Sequence, residues 1–326
     1  MDAITITNGN AEIAYVGEKP WHGLGNEVQP GISIDEMRAK AGMLWSIERG
    51  TVHFKNGGDE YHPFTKNEVL YRSDTKRPLS IVSKAFKVVQ PGDVLEFFRD
   101  LCDHNGFQMR TAGTLFGGRK FWALADIGAD SYVENPKNKV TGRLLLATAC
   151  DGSMATIAKF VAEVVVCQNT LTAALSEGGQ EVRTSHRAEF SLTQTKTDLG
   201  LGVKSYKSFI ESMRELAKVP VDRTLAQRLT ADILLKPSER KYKEARQETL
   251  ESKPALAILT PFLEHSMTGA DEIKRGTAWS YLNCVTEYVD HLSPTRNAEN
   301  RFNKSMFGKH DRLKTTAANR VFELIK

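Results

Sequence analysis

The sequence is poor in the features that mark secreted, disulfide-bonded or membrane-spanning proteins. Its few cysteines are widely spaced and form no Cys-x-x-Cys pair; they are Cys102, Cys150, Cys167 and Cys284. This spacing disfavours a disulfide framework or a zinc knuckle and favours reduced, buried thiols. No apolar run approaches the ~18 residues that a membrane span requires, and no basic region followed by an apolar stretch opens the chain. We therefore expect a cytoplasmic protein with no membrane association.

Motifs for nucleotide and metal binding are absent as well. The run Gly117-Gly118-Arg119-Lys120 lacks the upstream Gly and the downstream Ser or Thr of a phosphate-binding loop. No His-Glu-x-x-His motif occurs. The adjacent Asp290 and His291 would point about 100° apart on a helix, which favours a capping or ion-pair role over a shared metal. We expect no cofactor, no metal and no ATP-driven reaction.

The overall charge is close to balanced. The net charge is +4, and 40% hydrophobic and 26% charged residues are ordinary for a soluble globular protein. Any contact with nucleic acid must therefore come from a local concentration of Lys and Arg.

The residues present predict an α+β core over 1–192 and a helical region over 193–326. The first predicted strands are Trp45–Phe54, Val69–Tyr71 and Leu79–Val89. Pro91-Gly92-Asp93 then opens an amphipathic helix that stops at Asn105-Gly106. A β-hairpin is predicted next, turning at Gly117-Gly118. Its strands and the elements expected to follow are Phe107–Phe116, Arg119–Ile127, strand Arg143–Ala149, turn Asp151-Gly152-Ser153, strand Thr156–Val166 and a short helix from Gln168 through Leu175.

Helical periodicity takes over in the second part of the chain. The predicted helices are Thr195–Lys218, Asp222–Leu235, Ser238–His265, Ile273–His291 and Thr315–Ile325. Asp222 and Ser238 are candidate N-caps because their side chains can accept hydrogen bonds from free backbone N–H groups. An antiparallel sheet packed with helices and followed by a helical region is the expected fold.

Basic and aromatic residues alternate on the predicted hairpin and accumulate near the C-terminus. On the hairpin, strand alternation would place Arg119 with Phe121 on one face and Lys120 with Trp122 on the other, with Arg110 on the partner strand. The C-terminal group is Arg301, Lys304, Lys309, Arg312 and Lys314. Cations that neutralise phosphates beside rings that stack on bases are typical of single-stranded nucleic-acid binding.

Three other motifs allow two interpretations each. Cys167 and the distant His186 could form a thiol nucleophile with its base, although the apolar run before Cys167 favours a buried strand end. Asp151-Gly152 could contribute to a cation site or simply form a hairpin turn. The block from Trp21 to Gly25 could approach a base or phosphate, or Trp21 could close the edge of the core while the glycines turn the chain.

Several of these blocks together resemble a family of phage- and plasmid-encoded proteins, the family of unknown function numbered nine-three-two. The resemblance rests on Trp21, His22, Gly23, Gly25, Asp151, Gly152, Cys167, Asn169 and the run containing Asn283, Glu287, Tyr288, Asp290 and His291. It implies an origin in a mobile element and hence a host cytoplasm. The family defines no catalytic residues that could be carried over.

The expected order of helix, hairpin, further strand and helix is also similar to the core of ring-forming single-strand annealing proteins. From this order and the basic residues we expect a non-enzymatic, homo-oligomeric protein that binds and anneals single-stranded DNA. The alternative is a host-takeover or anti-defence protein that binds a host protein. An enzyme using Cys167 and His186 is the third possibility.

Overall fold

The computed structural model describes residues 5–17, 25–164, 169–172, 181–199, 202–296 and 298–325. In the first part the elements are β1 (Ile6–Thr7), β2 (Asn10–Ala11), β3 (Ile13–Val16), β4 (Asn26–Val28), α1 (Ile34–Lys40), β5 (Ile47–Phe54), β6 (His62–Arg72), β7 (Pro78–Ser83), α2 (Pro91–Asn105), β8 (Gln108–Leu115), β9 (Lys120–Tyr132), β10 (Lys139–Ala149), β11 (Thr156–Val164), β12 (Asn169–Thr172), β13 (Glu181–Thr184) and α3 (Leu192–Leu199).

The second part is helical. Its elements are α4 (Gly202–Leu216), α5 (Arg223–Leu234), α6 (Lys243–Leu250), α7 (Lys253–Glu264), α8 (Ala278–Glu287), a π-helical turn (Tyr288–Leu292), α9 (Ala298–Phe307) and α10 (Lys309–Phe322). No described helix is long and apolar enough to cross a membrane. The predicted α+β fold class, with antiparallel sheets and a helical C-terminal region, is confirmed.

The larger sheet has the strand order β12-β11-β10-β9-β8-β3-β4, with β13 also pairing with β11. A separate three-stranded sheet has the order β5-β6-β7, and both of its pairings are antiparallel. Strand β3 pairs antiparallel with β8 and parallel with β4.

Local signals position α2 and the hairpin as predicted. Helix α2 begins with Pro91, is preceded by a capping box between Gln90 and Asp93, and ends at Gly106 with a φ of 72°. The β8–β9 hairpin turns through Gly117 and Gly118, whose φ angles of 72° and 95° suit glycine.

Tertiary contacts define two compact units. Unit one comprises Met1–Gly128, Arg143–Lys159 and Glu181–Gly200, and unit two comprises Ala129–Gly142, Phe160–Gln180 and Leu201–Lys326. The chain enters and leaves each unit more than once. The predicted division of the chain into two parts near residue 192 therefore stays a prediction.

The predicted short helix starting at Gln168-Asn169-Thr170 is wrong. Residues Asn169–Thr172 instead form β12, which pairs antiparallel with β11, Val164 opposite Asn169. The β-branched threonines of this segment fit a strand, and a ladder with β11 was available to pair its backbone.

Several helix boundaries also differ from the prediction. The segment Ser238–His265 contains two helices rather than one, because Ser252 caps α7 by accepting the Ala255 N–H at 3.4 Å, and Pro254 occupies its first turn. The last helix starts at Lys309 rather than at Thr315, and α9 precedes it. The predicted N-cap Asp222 is confirmed, with its carboxylate accepting the Leu225 N–H at 2.7 Å.

A buried ion pair in unit one joins strand β6 to the bend between β2 and β3. Arg72, almost wholly buried on β6, donates to both carboxylate oxygens of Glu12 at 2.6 and 3.0 Å. The same guanidinium donates to Asp74 at 2.8 and 2.9 Å and lies 4.2 Å from the Trp45 ring centroid. Glu12 also accepts from the Thr114 hydroxyl on β8 at 2.5 Å. The charges are buried together, so each satisfies the other.

Replacing Arg72 should therefore destabilise the fold strongly. Arg72→Ala leaves Glu12 buried without a counter-charge, and we expect the free energy of unfolding to fall by about 3–5 kcal/mol. Arg99→Ala is the matched control, since Arg99 pairs with Asp35 and Glu96 near the surface and should cost less than about 1 kcal/mol. Denaturant unfolding measures both, and equal losses would contradict the role of the buried pair.

Candidate functional site

The predicted nucleic-acid hairpin forms, but its aromatic rings face the interior. Phe121 is 1% exposed and Trp122 is 2% exposed. The Phe121 ring meets Trp45 edge-on at 6.2 Å, and the Trp122 ring packs over Gly113, where a Cβ would lie 2.9 Å from it. Both faces of β9 are covered here, so alternation puts neither ring in solvent. Stacking of Phe121 or Trp122 on a base is therefore inconsistent with their burial.

The three hairpin cations differ in accessibility. Arg119 is exposed and donates to the Phe116 carbonyl at 3.0 Å. Lys120 is half-buried, and burial lowers its pKa. Arg110 is half-buried with its guanidinium against Gly17, where a Cβ would lie 2.7 Å from Nη1. Of the three, Arg119 is the cation most accessible to a phosphate.

The C-terminal basic group divides into structural and exposed cations. Lys314 is buried in unit two, which contradicts its predicted contact with phosphate. Arg301 donates to the carbonyls of Asp290 and His291 at 3.3 and 2.6 Å, where the π-helical turn ends. Lys309 and Arg312 are exposed, and Lys304 is half-buried.

A buried polar network binds Lys314. Its ammonium lies 2.9 Å from Oδ1 of Asp290, and the Ser305 hydroxyl hydrogen-bonds to the same carboxylate oxygen. The Lys314 ammonium also donates to Oγ of Ser305 at 3.0 Å. Asp290 sits in the π-helical turn, Ser305 on α9 and Lys314 on α10, so one carboxylate fixes three elements. Burial of both charges makes this pair structural.

Most of the remaining family-motif residues also stabilise unit two. The Asn283 amide donates to the Trp279 carbonyl at 2.9 Å, and Glu287 accepts the N–H and the hydroxyl of Thr268 at 2.9 and 2.5 Å. Tyr288 is half-buried, which raises its pKa. His291 is exposed while Asp290 is buried, so the pair does not converge on an ion. Among the described residues no group of three metal-ligating side chains occurs.

Positive charge concentrates where α9 meets α10. We define the basic junction as Lys304, Lys309 and Arg312. The buried His310 beside them has its pKa lowered to about 4, first by burial and then by Lys309, Lys304 and Lys314. Lys309 and Arg312 occupy the first turn of α10, where the helix dipole is already positive. An anion bound at this junction would be stabilised by both sources of positive potential.

The other predicted sites are resolved in part. Asp151 accepts the Ser153 N–H at 3.0 Å and Gly152 has a φ of 71°, so Asp151-Gly152 forms a turn. His186 stacks on Phe86 at 4.3 Å, and its ring nitrogens lie 2.9 and 3.1 Å from the carbonyls of Lys87 and Met154.

Several family-motif residues lie outside the described part of the chain. They are Trp21, His22, Gly23 and Cys167. The predicted pairing of Cys167 with His186 therefore stays a prediction. Gly25 has a φ of 120°, and a Cβ there would lie 2.7 Å from Ile13 on β3, so this end of the block needs glycine. The backbone of Asn169 begins β12.

One exposed surface does not correspond to any site predicted from the sequence. Residues Phe54, Tyr61 and Phe64, on and beside strands β5 and β6, are exposed. The sequence predicted strands at Trp45–Phe54 and Val69–Tyr71, so Tyr61 and Phe64 lie outside every predicted strand. Phe54 and Phe64 are ten residues apart in the sequence and share a face only through the pairing of β5 with β6, so no local alternation marks this surface.

These observations define an α+β protein whose helical unit is organised by a buried Asp–Lys pair beside a basic junction. The model of the domain of unknown function DUF932 matches residues 78–307, and the chain belongs to this family. The predicted family resemblance is confirmed. No curated protein and no solved structure matches the chain. The similarity to single-strand annealing proteins receives no support from these comparisons.

Removing the Asp290 charge should destabilise unit two. Asp290→Asn nearly keeps the shape but leaves Lys314 buried without a counter-charge, and we expect a loss of about 3–5 kcal/mol in the free energy of unfolding. Glu323→Gln, which alters an exposed pair with Arg320, should cost less than about 1 kcal/mol.

The double variant Asp290→Asn/Lys314→Met tests the same pair. It should lose less stability than the sum of its single variants, because neither charge is then left buried alone. Additive losses in denaturant unfolding would show that the two side chains do not act as a pair.

His310 makes stability depend on pH. Its pKa is about 4 in the folded protein against an ordinary 6.5, so between these values the unfolded chain takes up a proton that the folded protein does not. Stability should therefore fall as the pH drops from about 6.5 towards 4. His310→Asn should weaken this dependence. An NMR titration of the His310 ring with a midpoint near 6.5 would contradict the expectation.

Proposed function

We propose that the protein is a non-enzymatic single-stranded DNA-binding protein of a phage or mobile element, whose basic junction contacts phosphates. The observation that supports it is the accumulation of Lys304, Lys309 and Arg312 around the first turn of α10. Of the ion pairs formed by described residues, none includes Lys309 or Arg312. The first turn of α10 also contains Asp311, so a phosphate would be bound by the cations that exceed this single carboxylate.

The hairpin has a smaller part in this proposal than the sequence predicts. Arg119 is available for a phosphate contact, whereas the buried Phe121 and Trp122 are not available for bases. Binding would thus depend mainly on phosphate neutralisation, which makes affinity fall steeply with salt. Strand annealing and a homo-oligomeric state remain predictions.

The alternative is a protein that acts by binding a host protein. One observation favours it: Phe54, Tyr61, Phe64 and Ile81 are large apolar side chains exposed in unit one. Exposed apolar groups that lie close together often mark interaction surfaces. A host partner bound in the absence of nucleic acid would support this alternative.

Fluorescence anisotropy with labelled single-stranded and duplex oligonucleotides tests the proposal. At ~50 mM salt, where phosphate contacts are strong, the wild type should bind the single-stranded oligonucleotide more tightly than the duplex. Lys309→Ala/Arg312→Ala should weaken single-strand binding about tenfold or more. It should also reduce the slope of log K against log salt by about 1.4, since each single-strand phosphate contact contributes about 0.7.

The control removes two lysines that lie just beyond the ends of α4 and α5 in the same unit. Lys218→Ala/Lys236→Ala changes the net charge equally, but each lysine pairs with a neighbouring glutamate. Its binding should stay close to that of the wild type. An equal loss in this control would assign the effect to net charge alone, and no binding by the wild type would overturn the proposal.

A further inference from the structure

The outer face of the β5–β6–β7 sheet is open and mostly apolar, and it also carries Glu48 opposite Tyr71. The strand register places Gly50 opposite Val69, Val52 opposite Phe64, Phe54 opposite His62, and Val69 opposite Ile81. Directly paired residues share a face of an antiparallel sheet. The other face carries the buried Leu70, Arg72 and Val82. The sheet thus covers the core with one side and presents aromatic and aliphatic groups with the other.

The aromatic rings on and beside this face are accessible. Phe54 is 47% exposed, Phe64 43% and Tyr61 68%. At Gly50 a Cβ would lie 3.2 Å from Val69 Cγ1 and 3.3 Å from the Tyr71 ring. Glycine therefore leaves this part of the sheet flat. A flat surface with exposed rings suits the face of another planar group.

Cations accompany the rings. The Lys55 ammonium lies 4.8 Å from the Tyr61 ring centroid, and the Lys76 ammonium lies 5.6 Å from that of Tyr71. The Phe54 and His62 rings are 5.7 Å apart, and the exposed Lys66 follows Phe64 by two residues. Two of these lysines also pair with carboxylates, Lys55 with Asp59 at 3.9 Å and Lys76 with Glu48 at 3.1 Å. None of the ion pairs formed by described residues includes the exposed Lys66, which is therefore the cation beside the rings that is available to an anionic ligand.

This combination favours nucleic acid over a protein partner. The cores of protein interfaces are depleted in lysine, whereas lysines lie beside the rings of this face. Sites for single-stranded nucleic acid combine aromatic rings that stack on bases with cations that follow the backbone. In a duplex the bases are stacked on one another and cannot reach such rings.

We propose that the outer face of β5–β6–β7 binds single-stranded DNA, with Phe54, Tyr61 and Phe64 stacking on bases and Lys66 contacting a phosphate. The inference rests on the proposed function, since it requires a single-stranded ligand, and it supplies the base contacts that the buried hairpin rings cannot make. Strands β5 and β6 precede residue 78, where the match to the family model begins.

Paired substitutions separate stacking from apolar contact. Phe54→Leu/Phe64→Leu keeps apolar side chains and removes the rings, whereas Phe54→Tyr/Phe64→Tyr keeps the rings. The matched control is Tyr242→Leu, which removes an exposed ring in unit two that has the Lys241 ammonium 5.1 Å from its centroid. Circular dichroism melts establish that each variant is folded.

The probes are a labelled oligodeoxythymidine of about 20 nucleotides, long enough for one binding site, and an abasic oligonucleotide of the same length. The wild type should bind the thymidine oligomer more tightly than the abasic one. The Leu variant should lose at least tenfold in affinity for the thymidine oligomer and little for the abasic one, since stacking requires bases. The Tyr variant and Tyr242→Leu should bind like the wild type.

The outcomes separate this inference from the proposed function. Unchanged thymidine binding by the Leu variant overturns the inference, while a loss in Lys309→Ala/Arg312→Ala leaves the basic junction supported. Absence of binding by the wild type to either probe overturns both. A Leu variant that alters self-association in sedimentation but not DNA affinity assigns the face to a second copy of the chain and also overturns the inference.

Discussion

A charge buried inside unit two requires a counter-charge nearby. The Asp290–Lys314 pair imposes this requirement on the π-helical turn, α9 and α10. The carboxylate lies in the π-helical turn, the ammonium on α10, and Ser305 on α9 hydrogen-bonds to both. Separating them would leave a buried ion unpaired. The positions of α9 and α10 follow from this requirement, and so does the position of the basic junction that they form.

The pair also divides one run of cations into two kinds. Lys314 is used internally, and Arg301 is committed to the carbonyls at the end of the π-helical turn. Lys309 and Arg312 remain exposed beside His310, where they add to the positive end of the helix dipole. Of these four cations, only Lys309 and Arg312 are exposed to a phosphate of a ligand.

The aromatic residues also divide into a buried group and an exposed group, according to whether both faces of their sheet are covered or only one. Strand β9 is covered on both faces, so Phe121 and Trp122 pack internally. The β5–β6–β7 sheet is covered on one face, by contacts that include the buried Arg72, and this leaves Phe54 and Phe64 outside. Membership in the DUF932 family rests on residues 78–307, so this outer face lies largely before the part that defines the family.

The sequence by itself determined what local chemistry decides. Pro91 and Gly106 bound α2, Gly117-Gly118 turns the hairpin, and Asp222 caps α5, because each acts on its immediate backbone. Only the tertiary structure decided that Asn169–Thr172 is a strand, because β11 supplied the ladder. It likewise decided the burial of Trp122 and Lys314. Burial depends on what packs against a residue, and partners distant in the chain are not visible in its local pattern.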